Sequence, residues 1–252
     1  MPHKPVRQLV AALLLMTTVS VSAGEVSLGV AANFTDTTRE LIQAFEASTG
    51  HTASASFGST GKLYAQIRNG APYHVFMAAD VQRPERIEQE GVGVPGTRFT
   101  YAQGKLVLWS PEPETFDSPQ DYLADGDFQR LAIANPKTAP YGLAAQQVLQ
   151  ALELWQPLQP RLVRGDSIAQ AFQFVATGNA KAGFVALSQV RAWPEQEGRA
   201  WQVPQRLYQP IEQQAILLRQ GEDNAAARAW LGFLQTETAR DIIRRFGYDI
   251  PD

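Results

Sequence analysis

The chain has 252 residues, of which 44% are hydrophobic and 19% are charged, and its formal net charge is −3. This composition is ordinary for a soluble globular protein and is enough for one large domain or two small ones. An acidic chain without a basic run is a poor nucleic-acid binder, and the absence of cysteine excludes disulfides, lipid attachment at cysteine and thiolate metal sites.

Residues 1–23 have the pattern of a secretory signal peptide. Lys4 and Arg7 precede an apolar run at residues 9–16, and small residues end the segment at Ala23. The apolar run is shorter than the ~20 residues that a membrane span needs, and the small residues suit a signal peptidase. We therefore predict cleavage after Ala23 and export of the mature chain, most simply into a bacterial periplasm.

Strands and helices alternate from residue 25 onward. An apolar strand is predicted at residues 25–32, followed by a helix that ends at Gly50. A second strand at 52–57 leads through a glycine-rich turn into a helix that ends at Gly70, and residues 75–80 form a short buried strand. This alternation predicts an α/β fold with a doubly wound sheet.

The same alternation returns in a second unit. Later strands are predicted at residues 105–109, 131–134, 161–163, 182–186, 201–203 and 214–218. Helices are predicted at 84–90, from 141 or 142 to 152, at 167–175, 224–234 and 238–246, with a loop or short helix at 121–128. The last strand and helices return to the first unit, which predicts two lobes, two hinge crossings and a ligand cleft between the lobes.

The two crossings define the predicted lobes. Lobe 1 comprises residues 24–104 and 206–252, and lobe 2 comprises residues 105–205.

Four predicted turns share one design, in which a strand ends, a polar residue or glycine follows, and a helix begins. They lie at residues 32–34, 58–61, 139–142 and 165–168. Open α/β sheets bind ligands at the carboxyl ends of their strands, and a helix start presents unpaired N–H groups that suit an anion. Two turns come from each lobe, so we predict that all four meet on one small oxyanion.

The competing interpretation of each turn is a simple helix cap. Ser59 and Thr60 are both placed to cap a helix or to offer a hydroxyl to the anion, and spacing does not separate them. Asp166 is interpreted as a cap whose side chain points away, because a carboxylate would repel an anion. Lys62 is interpreted as a helix-surface residue.

Four stretches resemble the periplasmic molybdate-binding proteins of ABC importers: residues 30–34, 57–67, 70–80 and 245–248. The resemblance covers nearly the whole chain after residue 23. It implies the type II periplasmic binding fold, with two lobes that are each a doubly wound sheet flanked by helices. It also implies a monomeric binding protein rather than an enzyme, which needs no cofactor and delivers molybdate or tungstate to a membrane permease.

The resemblance also implies where the oxyanion is held, with no side chain bound directly to the metal. The positions carried over are Ala32 and Asn33 in the first turn, Ser59 and Thr60 in the second, Tyr141 in the third and Ile168 in the fourth. Tyr141 and Ile168 would contribute their N–H groups. Two positions depart from the family pattern: Asn33 stands where many members have serine, and Ala186 replaces a tyrosine that contacts the ligand in many members.

Two other functions stay open from the sequence. The same fold could serve sulfate, thiosulfate, phosphate or a small organic anion, and Asp166 would suit a protonated phosphate. A secreted hydrolase would need a base beside a nucleophile such as Ser59. His51 and His74 are the only histidines after residue 23, and neither is placed as a convincing base.

Overall fold

The computed structural model describes residues 23–126, 128–195 and 198–250, so the predicted signal peptide lies outside the described residues except for Ala23. The strands are β1 (Glu25–Ala31), β2 (Thr52–Gly58), β3 (Val75–Met77), β4 (Phe99–Gly104), β5 (Leu106–Ser110), β6 (Leu131–Ala134), β7 (Leu162–Gly165), β8 (Ala182–Ala186), β9 (Arg199–Gln202) and β10 (Ile211–Leu217). Among the helices described, none is long and apolar enough to cross a membrane.

The α-helices flank the strands in the same order. They are α1 (Thr35–Thr49), α2 (Thr60–Arg68), α3 (Gln82–Gln89), α4 (Pro119–Asp125), α5 (Pro140–Ala151), α6 (Trp155–Leu158), α7 (Ile168–Ala176), α8 (Leu187–Arg191), α9 (Ala225–Phe233) and α10 (Glu237–Arg245). A short 3-10 turn at Ala32–Phe34 joins β1 to α1.

The strands form two five-stranded sheets with matching architecture. The order is β2-β1-β3-β10-β4 in the first sheet and β7-β6-β8-β5-β9 in the second. In each sheet four strands point the same way, and the remaining one, β10 or β5, runs antiparallel to both of its neighbours. We call the first sheet with its helices the first lobe and the second sheet with its helices the second lobe.

The chain passes between the two sheets twice. Strand β4 is at the edge of the first sheet and continues into β5 of the second, and β9 is at the edge of the second and leads to β10 of the first. The two-lobe type II fold predicted from the sequence is therefore confirmed. We propose that the lobe boundaries lie in these connections, at residues 104/105 and 205/206.

Several elements differ from the sequence-based expectation. Strand β4 was not predicted, because polar residues interrupt its apolar pattern over Phe99–Gly104. The segment at 121–128, predicted as a loop or short helix, overlaps helix Pro119–Asp125, which Ser118 caps. The predicted start of α5 at residue 141 or 142 is also late, since Pro140 occupies the first helical position, which suits proline.

The hydrophobic core crosses between the lobes at the carboxyl ends of the parallel strands. Val26, Leu28 and Val30 on β1 are fully buried, as expected for a strand covered by helices on both faces. Each lobe has its own main hydrophobic cluster, but Ala31, Ala32 and Ala79 of the first lobe pack into the cluster of the second lobe. The lobes are therefore closed onto each other at the strand ends.

Candidate functional site

A small cavity lies between the lobes, where the four predicted turns meet. Its volume is about 10 Å³, far below the ~300–1,000 Å³ of pockets that hold drug-sized molecules. The residues that line it are Ala31, Ala32, Asn33, Gly58, Ser59, Thr60, Ala79, Ala139, Pro140, Tyr141 and Ile168. The cavity is therefore too small for a nucleotide or a sugar chain.

All six residues named as ligand contacts from the sequence line this one cavity: Ala32, Asn33, Ser59, Thr60, Tyr141 and Ile168. None of them is more than 6% exposed. The first four come from the first lobe and the last two from the second, so the structure brings together residues more than one hundred positions apart in the sequence. Their contact with an anion stays a prediction.

The hydroxyl groups of Ser59 and Thr60 differ in their surroundings. Ser59 is the residue before α2, but its side chain makes no capping bond, and its buried Oγ has no hydrogen-bond partner among the described residues. The Oγ1 of Thr60 accepts a hydrogen bond from the N–H of Ala79 at 3.1 Å. The interpretation of either side chain as a helix cap is wrong. The Thr60 hydroxyl accepts one bond and keeps its proton to donate, whereas the Ser59 hydroxyl is uncommitted both as donor and as acceptor among the described residues.

The second lobe presents backbone rather than side-chain donors. Tyr141 lies in the first turn of α5, and Ile168 is the first residue of α7. The first N–H groups of a helix have no acceptor within the helix, and no hydrogen bond from these two N–H groups occurs among the described residues. Both groups therefore remain available to an acceptor in the cavity.

The side chain of Asn33 is held by partners behind the cavity. Its Nδ2 donates to Oε1 of Gln213 at 2.9 Å and to the hydroxyl of Tyr248 at 3.0 Å. Burial raises the pKa of Tyr248, so its hydroxyl stays neutral at physiological pH. In this arrangement both protons of the amide are committed, which makes Asn33 part of a buried polar network that continues to Tyr101 through Gln213.

The cavity attracts an anion without formal charge. None of its lining residues is Asp, Glu, Lys, Arg or His. Helices α2, α5 and α7 begin at or beside it, and each helix start carries roughly half a positive charge through its aligned peptide dipoles. Neutral donors and these dipoles are the electrostatic basis for binding an oxyanion.

Asp166 has a different role from the predicted one. Ser167, not Asp166, caps α7 by accepting a hydrogen bond from the N–H of Gln170 at 3.3 Å. The Asp166 carboxylate is largely exposed and pairs with Nζ of Lys62 across the cleft at 2.7 Å. Its negative charge is therefore neutralised by a cation of the other lobe, and Lys62 is more than a helix-surface residue.

Backbone contacts also join the lobes beside the cavity. The N–H of Gly61 in α2 donates to the carbonyl of Thr138 at 2.9 Å. The guanidinium of Arg83 donates to the carbonyl of Lys137 at 3.2 Å and is itself paired with Asp80. Both bonds hold the loop that leads into α5, so closure of the cleft sets the position of the Tyr141 N–H.

The described residues offer little for other chemistry. They contain no group of three His, Cys, Asp or Glu side chains arranged to hold a metal ion. His51 and His74 stand just before β2 and β3, at the opposite ends of those strands from the cavity. Neither imidazole is therefore within reach of Ser59 as a base.

The family model described as bacterial extracellular solute-binding protein matches residues 26–249. The chain belongs to this family. A molybdate-binding protein ModA of Rhodobacter capsulatus is 49% identical over 94% of this chain and 93% of its own length. A ModA of Azotobacter vinelandii is 51% identical, with 92% of each chain covered.

Solved structures of related proteins match the fold. The periplasmic molybdate-binding protein of Azotobacter vinelandii superimposes with a TM-score of 0.86 at 41% identity, over 90% of this chain and all of that one. The sulfate-binding protein SubI of Mycobacterium tuberculosis has a TM-score of 0.76 at 14% identity, over 91% of this chain and 88% of that one. The second match shows the shared fold alone.

Sequence reasoning missed the residues behind the cavity. Gln213, Tyr248 and Ser188 all contact Asn33, although they lie 155 to 215 positions away in the sequence. The stretch 245–248 was noted as part of the family resemblance, but no pattern within it indicates that Tyr248 reaches the cleft. Ser188 lies in α8, a short helix that was not predicted.

Proposed function

We propose that this protein binds molybdate or tungstate in the cavity between its lobes and delivers the ion to the permease of an ABC importer. Two relatives that are 49% and 51% identical along nearly their whole length are molybdate-binding proteins, which supports this ligand. The relatives are binding proteins, and the function proposed here is binding rather than catalysis. Molybdate and tungstate are nearly equal in size and charge, so both belong to the proposal.

The observation that carries the proposal is the buried hydroxyl of Ser59. An unpartnered buried polar group destabilises a fold by about 1–3 kcal/mol, so an uncommitted hydroxyl in a cavity points to a ligand that completes it. The Oγ of Ser59 faces a space lined by neutral residues of both lobes. A fully ionised oxyanion accepts a hydrogen bond from it without any change of protonation.

Each proposed contact then has a stated role. Ser59 gives its hydroxyl, and Thr60, held by its bond from Ala79, gives its N–H at the start of α2. Tyr141 and Ile168 give N–H groups from the second lobe. Ala32 has no polar side chain and contributes backbone only, and Asn33 links the first turn to the network behind the cavity.

The donor set also favours one class of oxyanion. A protonated phosphate needs an acceptor for its proton, and no carboxylate lines the cavity. Sulfate is smaller, and donors placed for longer metal–oxygen bonds leave it under-bonded. The pairing of Asp166 with Lys62 removes the one sequence feature that favoured phosphate.

The place of action follows from the family and the first residues. Extracellular solute-binding proteins act outside the cytoplasmic membrane, and residues 1–23 supply the predicted export signal. We propose that the mature chain begins at Gly24, works in the periplasm as a monomer and presents the closed cleft to its permease.

A thermal-shift panel tests the function directly. We expect molybdate and tungstate to raise the melting temperature of the purified mature chain strongly, since a ligand at a thousand times its Kd stabilises by about 4 kcal/mol. Sulfate and phosphate at equal concentration should give a small shift or none. A larger shift with sulfate or phosphate than with molybdate would refute the proposed ligand.

A further inference from the structure

The C-terminal segment after α10 is held firmly at the crossing between the lobes. The N–H of Asp249 donates to the carbonyl of Gln103 on β4 at 3.0 Å, and the N–H of Gln103 donates back at 2.7 Å. The carboxylate of Asp249 pairs with Nζ of Lys105 at 2.7 Å, in the connection between β4 and β5. Tyr248, the residue before this bridge, is therefore fixed in position and is buried.

The hydroxyl of Tyr248 touches both lobes at once. It lies 2.8 Å from the carbonyl oxygen of Asn33, to which it donates, and 3.0 Å from the Asn33 Nδ2, from which it accepts. It also lies 2.8 Å from the Oγ of Ser188, at the start of α8 in the second lobe. Ser188 in turn donates to the same Asn33 carbonyl at 2.9 Å.

We propose that Tyr248 is a positioning residue of the oxyanion site, whose hydroxyl holds the Asn33 turn of the first lobe in register with Ser188 of the second lobe when the cleft closes. The inference rests on the proposed function, because it concerns the same cavity. Tyr248 does not line that cavity and acts through Asn33, which does.

The geometry of the Asn33 turn explains the effect on binding. Asn33 is in the 3-10 turn Ala32–Phe34, of which Ala32 and Asn33 line the cavity. Its backbone carbonyl accepts from the hydroxyls of Tyr248 and Ser188, and its side-chain amide donates to Gln213 and Tyr248. The turn therefore cannot rotate without breaking several buried hydrogen bonds. The Tyr248 bonds to Asn33 lie within the first lobe, whereas the bonds from Ser188 form only when the lobes meet. Tyr248 thus links the position of the Asn33 turn to the closure of the two lobes.

Removal of the hydroxyl alone separates this role from packing. The Tyr248 ring packs edge-on against Phe34, with ring centroids 4.9 Å apart, and a phenylalanine would keep that contact. Tyr248→Phe therefore removes the two bonds to Asn33 and the oxygen contact with Ser188, and it leaves the apolar core in place. Ser188→Ala removes only the bond to Asn33 that spans the lobes and that same contact.

The test is a double-mutant cycle on molybdate binding, measured by titration calorimetry on the mature chain. We expect Tyr248→Phe and Ser188→Ala each to weaken binding roughly three- to tenfold, the range of one or two net hydrogen bonds. The double variant should lose less than the product of the two factors, because the hydroxyls share one partner. Tyr64→Phe is the matched control: it removes a hydroxyl bonded to Glu90 within the first lobe and should bind as the wild type does.

Three outcomes would overturn the inference. If Tyr248→Phe binds molybdate with wild-type affinity, whether or not its melting temperature falls, the Tyr248 hydroxyl does not contribute to binding. Single factors that multiply in the double variant show that Tyr248 and Ser188 act independently. If Tyr248→Phe does not fold, wild-type affinity in Ser188→Ala would overturn the inference instead. Failure of the proposed function is distinguishable from these outcomes, because the wild-type chain itself would then show no molybdate binding.

Discussion

The two lobes furnish the same cavity in different ways. The first lobe lines it with the polar residues Asn33, Ser59 and Thr60, although the amide protons of Asn33 are committed to Gln213 and Tyr248. The second lobe lines it with Tyr141 and Ile168, whose N–H groups lie at helix starts. The side chains of the second pair are engaged elsewhere: Ile168 packs in the core of the second lobe, and the Tyr141 hydroxyl lies 3.5 Å from Nε2 of Gln213. A side-chain substitution can thus change the donors of the first lobe. The donors of the second lobe are backbone N–H groups, which most substitutions leave in place.

This difference explains how an uncharged cavity can hold a dianion with defined geometry. Helix-start N–H groups cannot rotate, so the second lobe sets distances, while the hydroxyl of Ser59 can adjust its proton to the oxygen it meets. The contrast predicts that substitutions of Tyr141 and Ile168 weaken binding mainly when they remove a backbone N–H.

The largest effect is expected from Ile168→Pro, which removes one backbone donor. Proline is favoured at the first position of a helix, and Ser167 before it has the extended backbone (φ −143°, ψ 169°) that proline tolerates. Proline removes the charge-assisted hydrogen bond of the N–H and puts a ring carbon where its hydrogen was. We expect molybdate binding, measured by calorimetry, to weaken roughly a hundredfold or more.

Ile168→Val is the control for that experiment, since it keeps the N–H and most of the packing. We expect its affinity to stay within about threefold of the wild type. If the proline variant folds, as judged by circular dichroism, and binds as tightly as the valine variant, the backbone role of the second lobe is wrong.

Ser59→Ala tests the side-chain half of the comparison. We expect binding to weaken roughly tenfold to a hundredfold, because a hydrogen bond to a charged group contributes about 1.5–3 kcal/mol. The melting temperature without ligand should change little or rise, because the buried hydroxyl has no partner to lose among the described residues. Ser56→Ala, at an exposed serine on β2 just before this turn, is the matched control and should leave both quantities unchanged.

A smaller effect is expected where the lobes meet at the first crossing. A Cβ on Gly104 would lie 2.0 Å from the Tyr141 hydroxyl and 2.9 Å from Nε2 of Gln213. Gly104→Ala should therefore oppose closure and weaken molybdate binding roughly tenfold, the range of an overpacking penalty of about 1–3 kcal/mol. Equal affinity, with a lower melting temperature only, would show that Tyr141 can retreat without disturbing the site.

The smallest effect is expected from the Lys62–Asp166 pair. Both side chains are more than half exposed, and such pairs contribute about 0.2–1 kcal/mol. Asp166→Asn should weaken binding less than about fivefold at low salt, and the difference should vanish at high salt because salt screens exposed charges. An effect that persists at high salt would indicate that Asp166 acts on the ion directly.

The sequence was sufficient for the parts of the site that local patterns encode. A strand end, a small or polar residue and a helix start are contiguous in the chain, so each of the four turns could be located. All six residues named from them line one cavity. The family resemblance supplied the ligand class, which turn chemistry alone left open among several oxyanions.

The contacts that hold the turns in place could not be predicted. The bonds of Asn33 to Tyr248 and Gln213, and the pairing of Lys62 with Asp166, join residues 104 to 215 positions apart. The bonds of Asn33 depend on how the end of the chain returns to the first lobe, and the Lys62–Asp166 pair depends on how the lobes close. No local periodicity encodes either. The different surroundings of the Ser59 and Thr60 hydroxyls likewise could not be predicted, because they depend on the Ala79 N–H, which donates to Thr60.

The most direct test of the account is the anomalous scattering of molybdenum in crystals of the molybdate complex. We predict one strong peak in the cavity, within hydrogen-bonding reach of Ser59, Tyr141 and Ile168 through the oxygens around the metal. A principal peak elsewhere, for example in the open basic concavity beside Arg130, Arg161 and Lys181 of the second lobe, would contradict the assignment of the site.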